Sequence, residues 1–157
     1  MPKLLMLVGI PAAGKSTFIA NSNIDWNRTV IASTDNYIER MAKEKNKTYS
    51  DVFQQEIKPA TEHLNKTVAD AIKNGYDIIW DQTNPSVKAR KQKLNMIPDN
   101  YEKIAVFFPT PEEKELFKRL SSRPGKNIPR EVINSMIASL TIPTKEEGFD
   151  EIIMAGN

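Results

Sequence analysis

The sequence predicts an α/β fold in which a parallel sheet is flanked by helices, and three observations carry that prediction. The run Lys3 to Val8 (KLLMLV) lacks the polar alternation of a half-exposed strand and reads as a strand buried on both faces. Directly after it, Gly9-Ile10-Pro11-Ala12-Ala13-Gly14-Lys15-Ser16 joins that strand to a helix-compatible segment, Ser16 to Ala20. Short β-branched runs then alternate with stretches of helical period, the pattern of successive βα units.

Taken in order, Arg28 to Ala32 (RTVIA) is the second predicted strand, ending at Ser33-Thr34-Asp35-Asn36. A helix over Asn36 to Lys45 follows, and Asn46 to Ser50 breaks it. From Asp51 to Asn74 apolar residues keep three-and-four spacing until Asn74-Gly75, with Pro59 marking a kink or a boundary between two helices. Tyr76 to Trp80 reads as a buried strand closing on Asp81-Gln82-Thr83-Asn84-Pro85. A helix then runs to about Met96, with Thr83 or Asn84 as its cap and Pro85 in its first turn. Tyr101 to Phe108 is a fourth strand and Pro111 to Leu120 a helix whose acidic start and basic end suit its dipole. Ser121 to Asn127 (SSRPGKN) has the composition of a mobile basic loop. Pro129 to Leu140 is a short helix, Pro143 to Gly148 a turn and Phe149 to Met154 a last strand.

At 157 residues the chain is one domain of ordinary size, 1–157, able to bury a core without staples. With 22 basic and 20 acidic residues the net charge is only +2, which excludes a strong uniform field for nucleic acid but allows local patches. The absence of cysteine excludes disulfides, thiolate metal sites and a cysteine nucleophile. No apolar stretch approaches the length of a membrane span, and the N-terminal run is too short for a signal peptide, so the expectation is a soluble cytoplasmic protein with no membrane partner.

The Gly9–Ser16 stretch has the glycine spacing and Lys-Ser ending of a phosphate-binding P-loop, in which backbone N–H groups turn inward around a phosphate. Lys15 would reach the terminal phosphates and Ser16 would ligate magnesium. Asp35 stands at the end of the second strand, where a carboxylate can accept a proton from an acceptor hydroxyl; equally, it can cap the following helix. Asp81 is a magnesium ligand in the manner of Walker B, or a turn former before Pro85. Arg119 and Arg123 suit a lid that stabilises charge on a transferred phosphoryl group, or else compensate a helix dipole. Lys88, Arg90, Lys91 and Lys93 form a basic cluster, a solvated face or a nucleic-acid contact. His63, Trp26 and Trp80 are assigned to packing or solvent.

With these residues in order, the chain resembles the kinase domain of the polynucleotide 5′-hydroxyl kinases over nearly its full length. The likeness rests on GIPAAGKST, the strand ending in Ser33-Thr34-Asp35-Asn36-Tyr37, WDQTNP at 80 to 85, the lid FKRLSSRPGKNIP at 117 to 129 and the closing IPTKEEGFDEI. It implies a P-loop kinase with a small basic lid at about 119–130, using ATP and Mg2+ to phosphorylate 5′-hydroxyl ends of DNA or RNA. By the same resemblance, Gly9, Ala12, Ala13, Gly14, Lys15, Ser16 and Thr17 hold the nucleotide with Arg119 and Arg123. Asp35 is the general base and Lys15 and Arg123 act on the transition state. Asp35, Asp81, Thr83, Ile128, Pro129 and Val132 meet the acceptor, and Ser16, Asp35 and Asp81 border the metal. The family often has Arg immediately before the catalytic Asp, where this chain has Thr34, and the phage type has Arg three residues after it, where this chain has Ile38. Arg40 or Lys88 would have to substitute. The PAAGK and DQTN spellings also resemble the kinase-like domain of heterogeneous nuclear ribonucleoprotein U. Two alternatives follow: a small-molecule P-loop kinase, or a nucleotide-gated binding and assembly module.

Overall fold

A computed structural model describes residues 1–155. Five strands form one all-parallel sheet in the order β2-β3-β1-β4-β5. The strands are β1 (Lys3–Val8), β2 (Thr29–Ala32), β3 (Asp77–Asp81), β4 (Glu102–Phe107) and β5 (Glu151–Met154). The helices are α1 (Lys15–Asn21), α2 (Thr34–Glu44), α3 (Tyr49–Asn74), α4 (Val87–Leu94), α5 (Glu113–Ser121) and α6 (Arg130–Ser139), with a 3-10 turn at Lys145–Glu147.

Because successive side chains of a strand point to opposite faces, β1 feeds two cores. Leu4, Met6 and Val8 pack with Leu64, Val68 and Ala71 of α3 and Leu94 of α4 on one face. Leu7 packs with Ile79, Val106 and Phe108 on the other, where Phe18 and Ile19 of α1 close the layer. A third cluster, Ile10, Leu116 and Ile133, ties α5 and α6 to the loop after β1. The parallel register brings the carboxyl ends of β1, β2 and β3 to a single edge, where an open α/β sheet binds ligands.

Two element boundaries differ from the sequence expectation. Pro59 neither breaks nor divides α3, which runs unbroken for 26 residues from a Thr48/Asp51 capping box to Gly75. The carbonyl that Pro59 leaves without a donor belongs to the exposed Gln55, where water can serve it. Helix α4 is capped by Ser86, which accepts from Ala89 N at 3.1 Å, and not by Thr83 or Asn84. The Asn84 side chain, 1% exposed, is engaged elsewhere, donating to Leu7 O at 2.7 Å and accepting from Lys93, while the backbone carbonyl of Thr83 accepts from Gly9 N at 3.0 Å.

The basic cluster on α4 is not one solvated face. Lys88 and Lys91 are exposed, but Arg90 is fully buried. Its guanidinium donates to Glu147 Oε1 at 2.8 Å and Oε2 at 3.2 Å, to Thr141 Oγ1, and to the carbonyls of Asn84, Pro85 and Thr141. Arg90 therefore braces the β3–α4 loop against the C-terminal segment. Among the described residues no helix is long and apolar enough to cross a membrane.

Candidate active site

A cleft of about 1610 Å³ opens along the carboxyl edge of the sheet, lined by the loop after β1, Thr34, Asp35 and Glu39 of α2, Asp81 to Pro85 after β3, and Lys93, Arg119, Arg123 and Lys126. The loop owes its path to two residues with positive φ, Ala12 (69°) and Gly14 (106°). Gly9 is required by space: a Cβ there would stand 2.9 Å from Phe108 Cβ. Lys15 Nζ donates to Gly9 O at 2.8 Å, folding the side chain back over the loop. Burial lowers its pKa, opposed by the carboxylates of Asp81 and Asp35. Burial likewise raises the Asp81 carboxyl, with Lys15 pulling the other way.

Asp35 is not the cap of α2. Ser33 is the cap of α2, accepting from Asn36 N at 3.2 Å, which leaves the Asp35 carboxylate in the first turn facing the cleft. Its two oxygens are both engaged: Oδ1 accepts from the Tyr49 hydroxyl at 2.5 Å, and Oδ2 lies 3.5 Å from Lys126 Nζ. Lys126 also pairs with Glu39 at 2.6 Å and lies 4.6 Å from the centre of the Tyr49 ring. Burial, then the Asp35 hydrogen bond, pushes the Tyr49 phenol above its ordinary range.

Residues 122–129 have no regular structure, as expected of a lid loop, yet they are tied down. Ser50 N donates to Gly125 O at 3.1 Å and Asn127 N to Ser50 Oγ at 3.0 Å, while Gly125 (φ 71°) sits so close to Thr48 that a Cβ would come within 2.9 Å. Arg119 donates to Ala12 O at 3.0 Å and pairs with Glu115. Arg123 presents a buried Nη1 with no hydrogen-bond partner among the described residues. A buried guanidinium nitrogen left unpaired beside a P-loop is a place for an anion, and phosphate matches it.

Ala12, Ala13, Gly14, Lys15, Ser16, Thr17, Asp35, Asp81, Thr83, Arg119 and Arg123 line this cleft, whereas Gly9 is buried behind it and meets the site only through its carbonyl, which accepts from Lys15. Ile128, Pro129 and Val132 do not line it. Ile128 packs into the α5–α6 cluster, Pro129 starts α6, and Val132 is exposed. Ile38 is fully buried, Arg40 lies over the Tyr37 ring and Lys88 is in solvent, so neither suggested substitute cation reaches the cleft. Tyr49, Lys126, Glu39 and Lys93 escaped the sequence reading as site residues. Only Lys126 and Lys93 left a signal there, as members of basic segments. Among the described residues no group of three or more acidic or histidine side chains could hold a metal unaided. Ser16 with Asp81 fits a magnesium ion that takes its remaining ligands from phosphates and water.

The sequence profile of the AAA_33 family (AAA domain) matches residues 4–143. The chain belongs to this family. Its fold, a five-stranded parallel sheet flanked by helices, is that of the P-loop kinases. The L-seryl-tRNA(Sec) kinase of Methanococcus maripaludis is 28% identical over 94% of the chain, which spans only 56% of that relative. A chain from the Pnkp1/Rnl/Hen1 RNA repair complex superposes with a TM-score of 0.65 at 27% identity, covering 88% of this chain and 44% of that one. A Chloroflexus aurantiacus protein gives a TM-score of 0.67 at 17% identity over 98% of this chain and 87% of its own, a likeness of fold.

Proposed function

We propose that this P-loop kinase moves the γ-phosphoryl group of ATP onto a hydroxyl carried by nucleic acid, and that its acceptor is the 5′-hydroxyl end of DNA or RNA. The observation that carries the reading is the cleft's polarity: the unpartnered Arg123 guanidinium and Lys15 lie at the loop, and the Asp35 carboxylate stands beyond them with no capping duty. In this reading the acceptor oxygen attacks the γ-phosphorus, the bond to the β,γ-bridging oxygen breaks, ADP departs, and the hydroxyl proton passes to Asp35. Lys15 and Arg123 stabilise charge on the transferring group, and Arg119 holds the lid to the loop through Ala12 O. Ser16 and Asp81 would hold a magnesium ion, which would supply positive charge at the phosphate oxygens. The Asp35 side chain is 52% exposed, and beside Tyr49 and Lys126 its oxygens keep lone pairs open to an acceptor hydroxyl.

The likeness to an L-seryl-tRNA(Sec) kinase favours a second reading, in which the acceptor hydroxyl belongs to an aminoacyl group on tRNA. One assay separates these readings from the small-molecule kinase and the assembly module. The protein is incubated with γ-labelled ATP, magnesium and, in parallel, 5′-hydroxyl DNA, 5′-hydroxyl RNA, seryl-tRNA, and nucleosides or sugars. Label on the oligonucleotides, reduced at least a hundredfold in Asp35→Asn with ATP affinity retained, is the expected result. Label on seryl-tRNA alone would transfer the proposal to the second reading, and no label on any nucleic acid would reject both.

A further inference from the structure

Thr34, the residue directly before Asp35, opens α2 and is only 8% exposed. Its hydroxyl oxygen accepts from Gln82 Nε2 at 3.3 Å, and Gln82 Oε1 in turn accepts from the Trp80 indole Nε1 at 3.0 Å. An indole N–H can only donate. It therefore fixes which end of the Gln82 amide faces Trp80 and turns the NH2 group toward Thr34. Trp80 is 1% exposed and packed into the core, so the amide is held from a rigid post.

The strand register explains why these residues meet. The last backbone pair between β2 and β3 is Ala32 with Trp80. Thr34 and Gln82 each stand two residues further along, the spacing at which the side chains of extended chain return to the same face. Their bond continues the β2–β3 pairing by one step after the backbone ladder has ended. It does so where one chain turns into α2 with Asp35 and the other leaves β3 with Asp81. Among the described residues it is the one side-chain hydrogen bond that joins residues 33–36 to residues 81–85. The partners of the Asp35 carboxylate itself, Tyr49 and Lys126, come from α3 and the lid, not from the sheet.

Building on the nucleic-acid kinase reading, we propose that Gln82 is a positioning residue for Asp35: anchored on Trp80, it clamps the start of α2 through Thr34 and so sets the separation between the Asp35 carboxylate and the phosphate loop with Asp81. Without the clamp, the first turn of α2 is joined to the end of β3 by no side chain, and the carboxylate loses its fixed reference to the phosphates. A displacement of about 1 Å at a reacting group costs on the order of 100-fold in rate. The effect falls on kcat, because the phosphate loop that binds ATP is not part of the clamp.

The test uses a 5′-hydroxyl oligonucleotide as acceptor and variants that keep side-chain size: Gln82→Met, Thr34→Val and Thr34→Ser. Gln82→Met and Thr34→Val each remove one side of the bond and should lower kcat by about 10- to 100-fold, with ATP affinity by isothermal titration within about twofold of wild type. Thr34→Ser keeps the hydroxyl and should restore kcat to within about threefold of wild type. The double variant Gln82→Met/Thr34→Val should lose no more than the worse single variant, since both delete the same bond. Unchanged kcat in Thr34→Val, equal losses in Thr34→Ser and Thr34→Val, losses that multiply in the double variant, or a loss that falls on ATP affinity overturns the proposal. The indole proton of Trp80, told apart from that of Trp26 by Trp26→Phe, judges the clamp by NMR without turnover. Its resonance should move upfield in Gln82→Met and, by release of the far end of the amide, in Thr34→Val but not in Thr34→Ser; a resonance that stays in place in Thr34→Val refutes the clamp. If the resonance moves as expected in a protein that phosphorylates no nucleic acid, the acceptor reading fails while the clamp stands.

Discussion

Replacing Glu147 by Gln should cost this fold far more than a surface ion pair would. The Glu147 side chain is 6% exposed and that of Arg90 0%, and the two carboxylate oxygens receive two guanidinium hydrogen bonds. Glu147→Gln keeps the shape but leaves a buried guanidinium uncompensated, a change that costs about 3–5 kcal/mol. For a domain of this size that lowers Tm by roughly 6–20 °C. The acid limb carries the same information. Burial raises the Glu147 carboxyl, but hydrogen bonds from Arg90 and Thr144, with the Arg90 charge, hold it net below its ordinary 4.5. A carboxyl whose folded pKa is depressed contributes stability that is complete above its unfolded pKa and is lost as pH falls through the folded one. Wild type should therefore lose stability on acidification from about pH 5 downward, and Glu147→Gln should lose less over the same interval. Urea unfolding of both proteins at pH 7 and pH 4 measures the difference. A cost below about 1 kcal/mol at pH 7, or identical acid limbs, would refute the claim that Arg90 depends on this carboxylate.

If Arg123 meets the transferring group as proposed, Arg123→Lys should lower kcat by about a hundredfold or more with a smaller effect on the KM for ATP, because lysine replaces the charge but not the planar fork; steady-state kinetics in ATP reads the split. Gly125→Ala should undock the lid, since the new Cβ meets Thr48 at 2.9 Å from a backbone at φ 71°. The expected signs are a stability loss of about 1–3 kcal/mol in urea unfolding and faster proteolysis within 122–129. Tyr49→Phe removes the donor on Asp35 Oδ1 and keeps the ring under Lys126, so it should change acceptor turnover while ATP binding by isothermal titration stays within about twofold.

What the sequence made legible was local. The β1 run, the loop after it and the alternation of strand and helix are each signals within about ten residues, and a parallel sheet converts them into one edge where Lys15, Asp35 and Asp81 meet. Arg119 and Arg123 were visible for the same reason, as cations flanking a segment that cannot be regular. The burial of Arg90 was not visible, because its partner Glu147 lies 57 residues away and nothing local distinguishes it from Lys88 or Lys91. Thr83 and Asn84 looked like caps because their chemistry suits caps; the Asn84 side chain is claimed by Leu7 O and Lys93, and the helix starts later, capped by Ser86. Tyr49 fell in a stretch that read only as a helix break, and its hydroxyl acquires meaning through Asp35, 14 residues back.

The distribution of charge in the cleft sets what it can attract. Five basic and five acidic side chains line it, so it is no simple trap for polyanions. What attracts phosphate is the distribution: the acids at the rim engage Arg119 and Lys126, whereas Lys15, Lys93 and Arg123 stand inside without a dedicated carboxylate. There, partly withdrawn from water, each is worth more to an anion than it would be on the surface. The half-exposed Asp35 carboxylate accepts from Tyr49 at the start of α3 and faces Lys126 of the lid, and these two segments are bonded to each other through Ser50, Gly125 and Asn127. The surroundings of Asp35 are thereby coupled to the docking of the lid. Lys126 and Arg123 belong to the same docked segment, so the ion pair at Asp35 and the buried guanidinium are held by the same bonds to Ser50.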